Sequence, residues 1–237
     1  MSSKLSKKRI KFNKKSLTSN LRKYYSSVSY SQFKITLPII KKHLRGKLID
    51  VGCGDLYYKQ FITDKVDLYD SIDYLPKTEG VTYKGDIQDM HMIADAKYDA
   101  AICLEVLEHV PNPQKALFEI SRILKKRGLV VVSVPHLSRL HEMPHDYYRY
   151  TKFGLTNLFK NAGFELITIK ERGGLFSFLA HQISSVLVTG TINIPIVAQI
   201  VYLINAIFIA IPAYYTDLLF RTQKRLPAGY TVLARKL

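Results

Sequence analysis

The stretch Leu48-Ile-Asp-Val-Gly-Cys-Gly-Asp55 decides how this chain of 237 residues folds. Its first half is apolar and forms a predicted strand, and its second half carries Gly52 and Gly54 in the turn that follows. Glycines at these positions let the backbone turn tightly and approach a ligand more closely than a residue with a Cβ atom would permit. The stretch therefore predicts a strand followed by a ligand-binding loop.

Short apolar segments alternate with helical or turn-rich segments on both sides of this loop. The alternation predicts a mostly parallel sheet with covering helices. Predicted helices cover residues 31–44, residues 113–125 with Gly128 as a stop, and residues 152–161 with Thr151 as the cap. The predicted strands are residues 47–51, 66–72, 81–84, 98–104, 129–134, 164–169 and 229–235.

Acidic residues lie at the ends of the first three strands. Asp73 comes about twenty residues after the glycine loop, where a carboxylate can accept hydrogen bonds from both hydroxyls of a ribose. Asp86, with Ile87 beside it, follows the third strand, as an adenine-contacting pair would. Together with Asp50 on the first strand, these acids predict a nucleoside site at one edge of the sheet.

Longer motifs resemble those of class I S-adenosylmethionine-dependent methyltransferases. They comprise residues 50–54, Asp73, residues 85–87, 98–110 and 124–135, and the resemblance covers residues 46–172 and the last strand. It implies a Rossmann-like α/β sheet with helices on both faces, and S-adenosylmethionine as the cofactor. The implied cofactor contacts are Asp50, Gly52, Cys53 and Gly54 at the methionine part and sugar, Asp73 and Tyr74 at the ribose, Asp86 and Ile87 at the adenine, and Leu104 and Glu105 near the sulfonium.

The glycine loop departs from the family pattern at one position. Many relatives have a third glycine where this chain has Leu56, so we expect a different local turn and weaker cofactor binding. An NAD-dependent dehydrogenase is the rival interpretation of a glycine loop with a ribose acid. Its GxGxxG motif would need a glycine where Tyr57 stands, and the later motifs favour the methyltransferase.

The segment His141-Glu-Met-Pro-His-Asp-Tyr-Tyr-Arg-Tyr150 holds more polar and aromatic side chains than a connection requires. With Thr151 and Gly154-Leu155 it resembles small methyltransferases associated with surface glycans and lipids. Methyl transfer needs alignment, and a hydroxyl acceptor benefits from a base. The alternative is that these side chains only fix the loop. We assign base or orienting roles to His109, His136, His145 and Asp146, and substrate contacts to His141, Tyr147, Tyr148 and Arg149.

A divalent metal is an option that the sequence leaves open. Glu105, Glu108 and His109 with a later loop histidine are similar to the metal-binding pattern of small-RNA 2′-O-methyltransferases and some ubiquinone O-methyltransferases. There the ion would orient and acidify a hydroxyl. Acids at this spacing also simply favour the start of a helix. We therefore assign no metal ligand.

Two regions outside the core indicate a membrane. The formal net charge is +16 and no acidic residue precedes Asp50, so residues 1–29 predict a basic, flexible tail. Residues 173–216 contain no Asp, Glu, Lys or Arg, and an apolar insertion over residues 173–227 is long enough to cross a bilayer. Basic residues on both flanks, Arg172 and Arg221 among them, agree with both ends on the cytoplasmic side.

The last strand, within residues 228–237, must rejoin the core of residues 30–172. The insertion is therefore expected to be a hairpin, an interfacial element or a folded lid that leaves the sheet beside the active site. A helical pair buried in a dimer interface is the alternative, and the sequence leaves the oligomeric state open. Cys53 and Cys103 form no disulfide pattern, and the N-terminus lacks a signal-peptide core, which favours the cytoplasm.

These features predict a methyltransferase acting on a hydroxyl of a glycan, lipid-linked sugar or isoprenoid-like acceptor. The protein is expected to be cytoplasmic and peripheral at the inner face of an anionic membrane. Two alternatives remain. The basic tail could bind nucleic acid in an RNA methyltransferase, or a non-catalytic adapter could retain the fold and use tail and insertion to bind a membrane or a partner.

Overall fold

Seven strands form one sheet in the computed structural model, which describes residues 22–191 and 194–237. The strands are β1 (Lys47–Val51), β2 (Leu68–Asp73), β3 (Tyr83–Lys84), β4 (Tyr98–Leu104), β5 (Leu124–Pro135), β6 (Phe164–Arg172) and β7 (Gly229–Lys236). They lie in the order β3-β2-β1-β4-β5-β7-β6. The first five in this order are parallel to one another, and β7 is antiparallel to β5. The expected fold class, a Rossmann-like methyltransferase sheet, is confirmed.

The helices begin where the sequence supplies caps. Asn112 accepts a hydrogen bond of 3.0 Å from the backbone N–H of Lys115, and Thr151 accepts one of 3.0 Å from Gly154. These caps satisfy N–H groups that have no partner within the helix. The helices are α1 (Ser27–His43), α2 (Lys59–Ile62), α3 (Pro113–Ile123), α4 (Lys152–Asn161), α5 (Leu175–Thr191), α6 (Pro195–Asn205) and α7 (Ile211–Phe220), with a π-helical turn at Ala206–Ala210 between the last two.

The prediction that Gly128 ends the helix before β5 is wrong. Helix α3 ends at Ile123, and Gly128 lies inside β5. Tyr98 on β4 pairs with Leu124, whereas the next pair is Ala100 with Leu129, so β5 carries extra residues here. Such a bulge interrupts the alternation of side chains and therefore has no simple periodic signature in the sequence. Helix α1 also begins earlier than predicted, at Ser27.

The carboxyl ends of the parallel strands define one edge of the sheet. The glycine loop follows β1, Asp73 ends β2, and the turn Leu107–His109 comes shortly after β4. Open α/β sheets bind their ligands at this edge, because the loops that follow parallel strands meet there. The strands that carry these loops are buried, with Ile49, Ile102 and Val132 fully inaccessible, so the loops are built on a rigid base.

The chain divides into two compact units. The sheet unit contains Ile35–Glu171 and Gly229–Leu237, and the helical unit contains Arg172–Ala228 with residues 22–34. Within the helical unit, α5 packs against α6 and α7. The continuous helix Ile196–Phe220 is 25 residues long, and it contains an 18-residue window with a mean hydropathy of 2.2, of which 17% is buried. Residues 1–21, which hold most of the predicted basic tail, lie outside the described residues.

Candidate active site

The two positions in the loop after β1 require glycine for different structural reasons. Both adopt positive φ, +74° at Gly52 and +55° at Gly54. A Cβ atom on Gly52 would lie 2.5 Å from the side chain of Val106, whereas one on Gly54 would meet nothing within 4 Å. Gly52 is therefore required for packing of the loop against Val106, which follows β4. Gly54 faces open space, which fits a loop that a ligand approaches closely.

The carboxylate of Asp73 holds this loop by a hydrogen bond and can still accept hydrogen bonds from a ligand. Its Oδ2 accepts a hydrogen bond of 2.8 Å from the backbone N–H of Gly54, and its Oδ1 accepts one of 2.9 Å from Leu75. A carboxylate offers about four lone-pair sites, so both oxygens can accept further bonds from ribose hydroxyls. The neighbouring Tyr74 is 66% exposed. These residues fit the predicted nucleoside site.

Leu56 takes a conformation that glycine favours. Its φ is +59°, in the left-handed region, where a Cβ atom is costly. The loop thus bends at this position without the third glycine that many relatives carry. The expectation of weaker cofactor binding stays a prediction.

Asp50 is a buried carboxyl group at the end of β1. It is 4% exposed and accepts a hydrogen bond of 2.5 Å from the hydroxyl of Tyr69. Burial raises the pKa of Asp50 to about 7, and the nearby carboxylates of Asp73 and Asp55 add to the rise, whereas the Tyr69 hydrogen bond opposes it. Burial likewise raises the pKa of Cys53 to about 12, so this residue stays a neutral thiol. The charge of Asp50 therefore changes near neutral pH.

Binding of S-adenosylhomocysteine should depend on pH through Asp50. The ligand carries an α-ammonium group, which an ionised Asp50 would attract and a protonated one would not, so affinity should rise between pH 6 and 8 by up to about tenfold. Titration calorimetry across this range measures the effect. Methylthioadenosine, which lacks the amino acid part, and the Asp50→Asn variant should both give flat profiles. An equal pH dependence for both ligands would rule out Asp50 as the cause.

The remaining predicted cofactor contacts lie at the ends of β3 and β4. Asp86 accepts a hydrogen bond of 2.8 Å from the backbone N–H of Gln88, and Ile87 is buried in the core. Leu104 ends β4, and Glu105 adopts a φ of +55° with its N–H donating to Ser133 at 2.9 Å. All of them lie at the same sheet edge, and their contacts with a cofactor stay predictions.

The loop of residues 141–150 is fixed on the turn that follows β4. The Nδ1–H of His109 donates to the backbone carbonyl of His145 at 2.6 Å, and the N–H of Tyr147 donates to the carbonyl of Glu108 at 2.8 Å. The hydroxyl of Tyr148 donates to Pro111 at 2.8 Å, and that of Tyr150 donates to Leu107 at 2.7 Å. These hydrogen bonds hold the loop that follows β5 against the turn that follows β4.

Asp146 and Arg149 form an ion pair inside this loop. Both carboxylate oxygens of Asp146 lie 2.7 Å from guanidinium nitrogens, and this pairing holds the pKa of Asp146 well below its usual range. A carboxylate so stabilised is a poor proton acceptor near neutral pH. It is suited to the orienting role, because it also accepts the N–H of His141 at 2.9 Å. Arg149 donates besides to the carbonyl of Arg139, which supports the alternative that it fixes the loop.

Glu108, His109 and His141 form a cluster of titratable side chains at this edge. Their ligand atoms all lie within 4.8 Å of one another. The Nδ1 of His109 donates to a carbonyl, so the Nε2 of the neutral ring carries a lone pair, and it lies 3.7 Å from Oε1 of Glu108. The Nε2 of His141 lies 4.0 Å from the same oxygen. Glu108 is fully buried, and burial lowers the pKa of His109, so the cluster gathers electron-pair donors that can accept a proton.

The same three residues could hold a divalent metal. Two imidazole nitrogens and a carboxylate oxygen are a ligand set that such ions use in proteins. The option left open in the sequence included Glu105, which is not part of the group, and a later histidine, which is His141. His141 was predicted as a substrate contact, and its ring instead packs against that of His109, a pairing that the sequence did not predict. The adjacent Glu108-His109 pair after a buried strand was the available signal.

His136 and His145 lie outside this cluster. The Nδ1 of His136 donates to the carbonyl of Tyr150 at 2.8 Å, and its ring packs 5.8 Å from that of Tyr230. The exposed side chain of His145 contacts the hydroxyl of Tyr147 at 2.9 Å. His145 touches His109 through its backbone carbonyl. The catalytic roles of His136 and His145 stay predictions. The positions of these two residues support a catalytic role less than the positions of His109 and His141 do.

The strand order of the sheet, with the glycine loop and the acidic residues at its carboxyl edge, is that of an S-adenosylmethionine-dependent methyltransferase domain of the Rossmann-like type. The chain belongs to the family described as "Methyltransferase domain", which it matches over residues 34–169. S-adenosylmethionine is the methyl donor of this class. The family assignment confirms the resemblance found in the motifs.

Individual relatives are similar over part of the chain. A ubiquinone biosynthesis O-methyltransferase of Azoarcus is 26% identical over 153 residues, which cover 52% of this chain and 66% of the relative. Another of the same description, from Dechloromonas aromatica, is 27% identical over 139 residues, covering 46% and 60%. The chain thus spans less than two thirds of these curated relatives. A S-adenosylmethionine-dependent methyltransferase structure from Archaeoglobus fulgidus superposes with a TM-score of 0.56 at 14% identity, covering 87% of this chain and 92% of the other.

Proposed function

We propose that this protein transfers a methyl group from S-adenosylmethionine to a hydroxyl oxygen of a glycan, lipid-linked sugar or isoprenoid-like acceptor at a membrane surface. The observation that carries the proposal is the cluster of Glu108, His109 and His141 beyond β4. Proton acceptors at this edge suit an acceptor that must lose a proton as its oxygen is methylated. The O-methyltransferase descriptions of the two relatives support the same chemistry.

In this proposal different residues of the chain bind the cofactor, accept the proton and orient the base. Asp73 and the loop around Gly54 would hold the nucleoside, and Asp50 would lie near its methionine part. The bound cofactor supplies an electrophilic methyl group on a sulfonium. His109 or His141 would accept the proton that the acceptor hydroxyl loses, and Glu108 would stabilise the resulting imidazolium. Asp146 would orient His141 through the hydrogen bond that it accepts from the backbone of that residue.

The membrane-bound nature of the acceptor rests on the apolar helical unit. Exposed apolar side chains on α5 to α7 would favour an interface with lipid, where lipid-linked substrates are found. We propose that the protein acts on the cytoplasmic side, at the inner face of the membrane. Both cysteines are free and buried, which is compatible with a reducing compartment.

Replacing His109 by alanine should lower kcat by about 100- to 10,000-fold, because a general base is lost. Binding of S-adenosylhomocysteine should stay within about twofold of wild type, because the nucleoside contacts lie elsewhere on the edge. His43→Ala is the matched control: His43 is the last residue of α1, before the amino end of β1, and its loss should leave kcat near the wild-type value. We expect chelation by EDTA to leave the activity unchanged. Loss of activity on chelation, with recovery on adding a divalent ion, would instead make the cluster a metal site.

The acceptor class can be tested with radiolabelled S-adenosylmethionine and fractionated membrane extract. The proposal expects label in the lipid phase or in lipid-linked glycan, and no transfer by Asp73→Ala protein. Nuclease-sensitive label in the aqueous phase would favour the RNA methyltransferase. Saturable binding of S-adenosylhomocysteine without methyl transfer to any fraction would contradict the proposed class of acceptor. Absence of that binding would favour the alternative of a non-catalytic adapter.

A further inference from the structure

The helical unit is a hairpin whose two ends meet. Helix α5 forms one arm, and α6, the π-helical turn and α7 form the other. At the base, the N–H of Ala228 donates to the carbonyls of Arg172 at 2.9 Å and Gly173 at 3.2 Å. The chain therefore enters and leaves the hairpin at one place. Any medium that surrounds the arms must be entered by both arms from the same side.

A buried aspartate fastens the two arms together at this base. Asp217 on α7 is 1% exposed and accepts hydrogen bonds from the backbone N–H groups of Gly174, Phe176 and Ser177 at 2.7, 2.9 and 2.9 Å. These are N–H groups at the start of α5 that have no partner within the helix, so Asp217 caps one arm from the other. Asp217 thus joins the two arms at the base of the hairpin. Beyond the base, residues 174–216 contain no Asp, Glu, Lys or Arg.

The arms pack through small side chains. Ala180 and Ser184 on α5 are buried, as are Ala206 and Ala210 in the π-helical turn. Small residues let helix backbones approach closely, which is how helices associate in lipid, where burial of large apolar groups gives no advantage. The large apolar side chains point outward instead. Val186 is 73% exposed, Phe208 72% and Leu219 77%.

The outer surface is suited to a bilayer. The helix Ile196–Phe220, at 1.5 Å per residue, is long enough for a hydrocarbon core of about 30 Å. Exposed apolar side chains lie on both arms, whereas a second protein copy would be expected to cover one face. The chain after Phe220 carries Arg221 and Arg225, both exposed, and the sole acidic residue of the insertion, Asp217, is buried at the base. Positive charge at the base complements anionic headgroups.

We propose that this hairpin is a membrane anchor that inserts its two arms into an anionic phospholipid bilayer, with both ends at the same bilayer surface. The anchor is independent of the methyl acceptor: it would hold the protein at a bilayer whether or not the proposed O-methylation is correct. Its test therefore reads lipid binding and not methyl transfer.

Flotation of the full chain with vesicles of phosphatidylcholine and phosphatidylglycerol (7:3) tests the anchor. Wild-type protein should float with the vesicles and resist extraction at alkaline pH. Val186→Lys combined with Phe208→Lys should reduce the floating fraction by at least tenfold, because a lysine in the apolar part of a bilayer is strongly disfavoured. Phe153→Lys replaces an apolar side chain that is 83% exposed on α4 of the sheet unit, and should float like wild type.

Binding of S-adenosylhomocysteine by each variant checks that the sheet unit is folded, and circular dichroism checks the helices. Three results would overturn the anchor. The double variant could float like wild type, alkaline extraction could release the wild-type protein, or the wild type could remain in the aqueous phase as a dimer that the lysines dissociate. The first two would mean that basic residues bind the vesicle surface alone, and the third would assign the hairpin to a second copy.

Discussion

Replacing Asp73 by alanine should weaken binding of S-adenosylhomocysteine by about 100-fold or more. The variant would lose the predicted charge-assisted hydrogen bonds to the ribose, each of which would contribute about 1.5–3 kcal/mol. It also loses the carboxylate that accepts the N–H of Gly54 at 2.8 Å, so the glycine loop is less well ordered before the ligand arrives. Titration calorimetry measures the affinity directly.

The matched control is Asp64→Ala. Its carboxylate is 63% exposed and pairs with Lys65 at 3.4 Å, and removing an exposed pair of this kind changes stability by less than about 1 kcal/mol. Nucleoside affinity should stay at the wild-type value. If Asp73→Ala bound as tightly as Asp64→Ala, the nucleoside site would have to lie elsewhere, and the assignment of the glycine loop would fail with it.

Alanine at the two loop glycines should produce opposite kinds of damage. Gly52→Ala should lower the free energy of unfolding by about 2–4 kcal/mol, because it adds both left-handed strain and an overlap with Val106. Gly54→Ala should lower it by only about 1 kcal/mol, from backbone strain alone. Its new methyl group would however occupy the open space that a ligand approaches, so nucleoside affinity should fall by at least about tenfold.

Denaturant unfolding and calorimetry on the same two proteins separate these effects. The contrast depends on one structural difference, since a Cβ atom at Gly52 has Val106 at 2.5 Å and one at Gly54 has no neighbour within 4 Å. Equal losses of stability in both variants would contradict the loop geometry. Unchanged affinity in Gly54→Ala would mean that the ligand does not approach the loop there.

Much of the fold could be predicted from local patterns. Residues 98–104 form β4 with the predicted bounds, and Thr151 caps α4 as its hydroxyl and position suggested. Strand β5 could not be bounded correctly, because its bulge between Leu124 and Leu129 is set by pairing with β4. Local sequence carries the alternation of side chains but not the register with a neighbouring strand.

The candidate site was predicted unevenly. Asp50, Asp73 and Asp86 stand at or just beyond the carboxyl ends of their strands, so sheet topology alone brings them to one edge. The proton-accepting cluster was harder, because Glu108 and His141 are distant in sequence and meet only when the loop docks on the turn after β4. Asp146 shows the same limit: as a sequence position it could be a base, and only its contact with Arg149 shows that its charge is already paired.

The amino-acid sequence by itself determined the alternating strands and helices, the glycine loop, the acidic residue at the end of the second strand and the uncharged stretch of the insertion, because these depend on local periodicity and on residues close together in the chain. Only the tertiary structure decided which histidine faces His109, which glycine has room for a ligand, and that Asp217 caps α5 from the opposite arm of the hairpin. Contacts of this kind join residues far apart in sequence, and their geometry is set by packing of the whole unit.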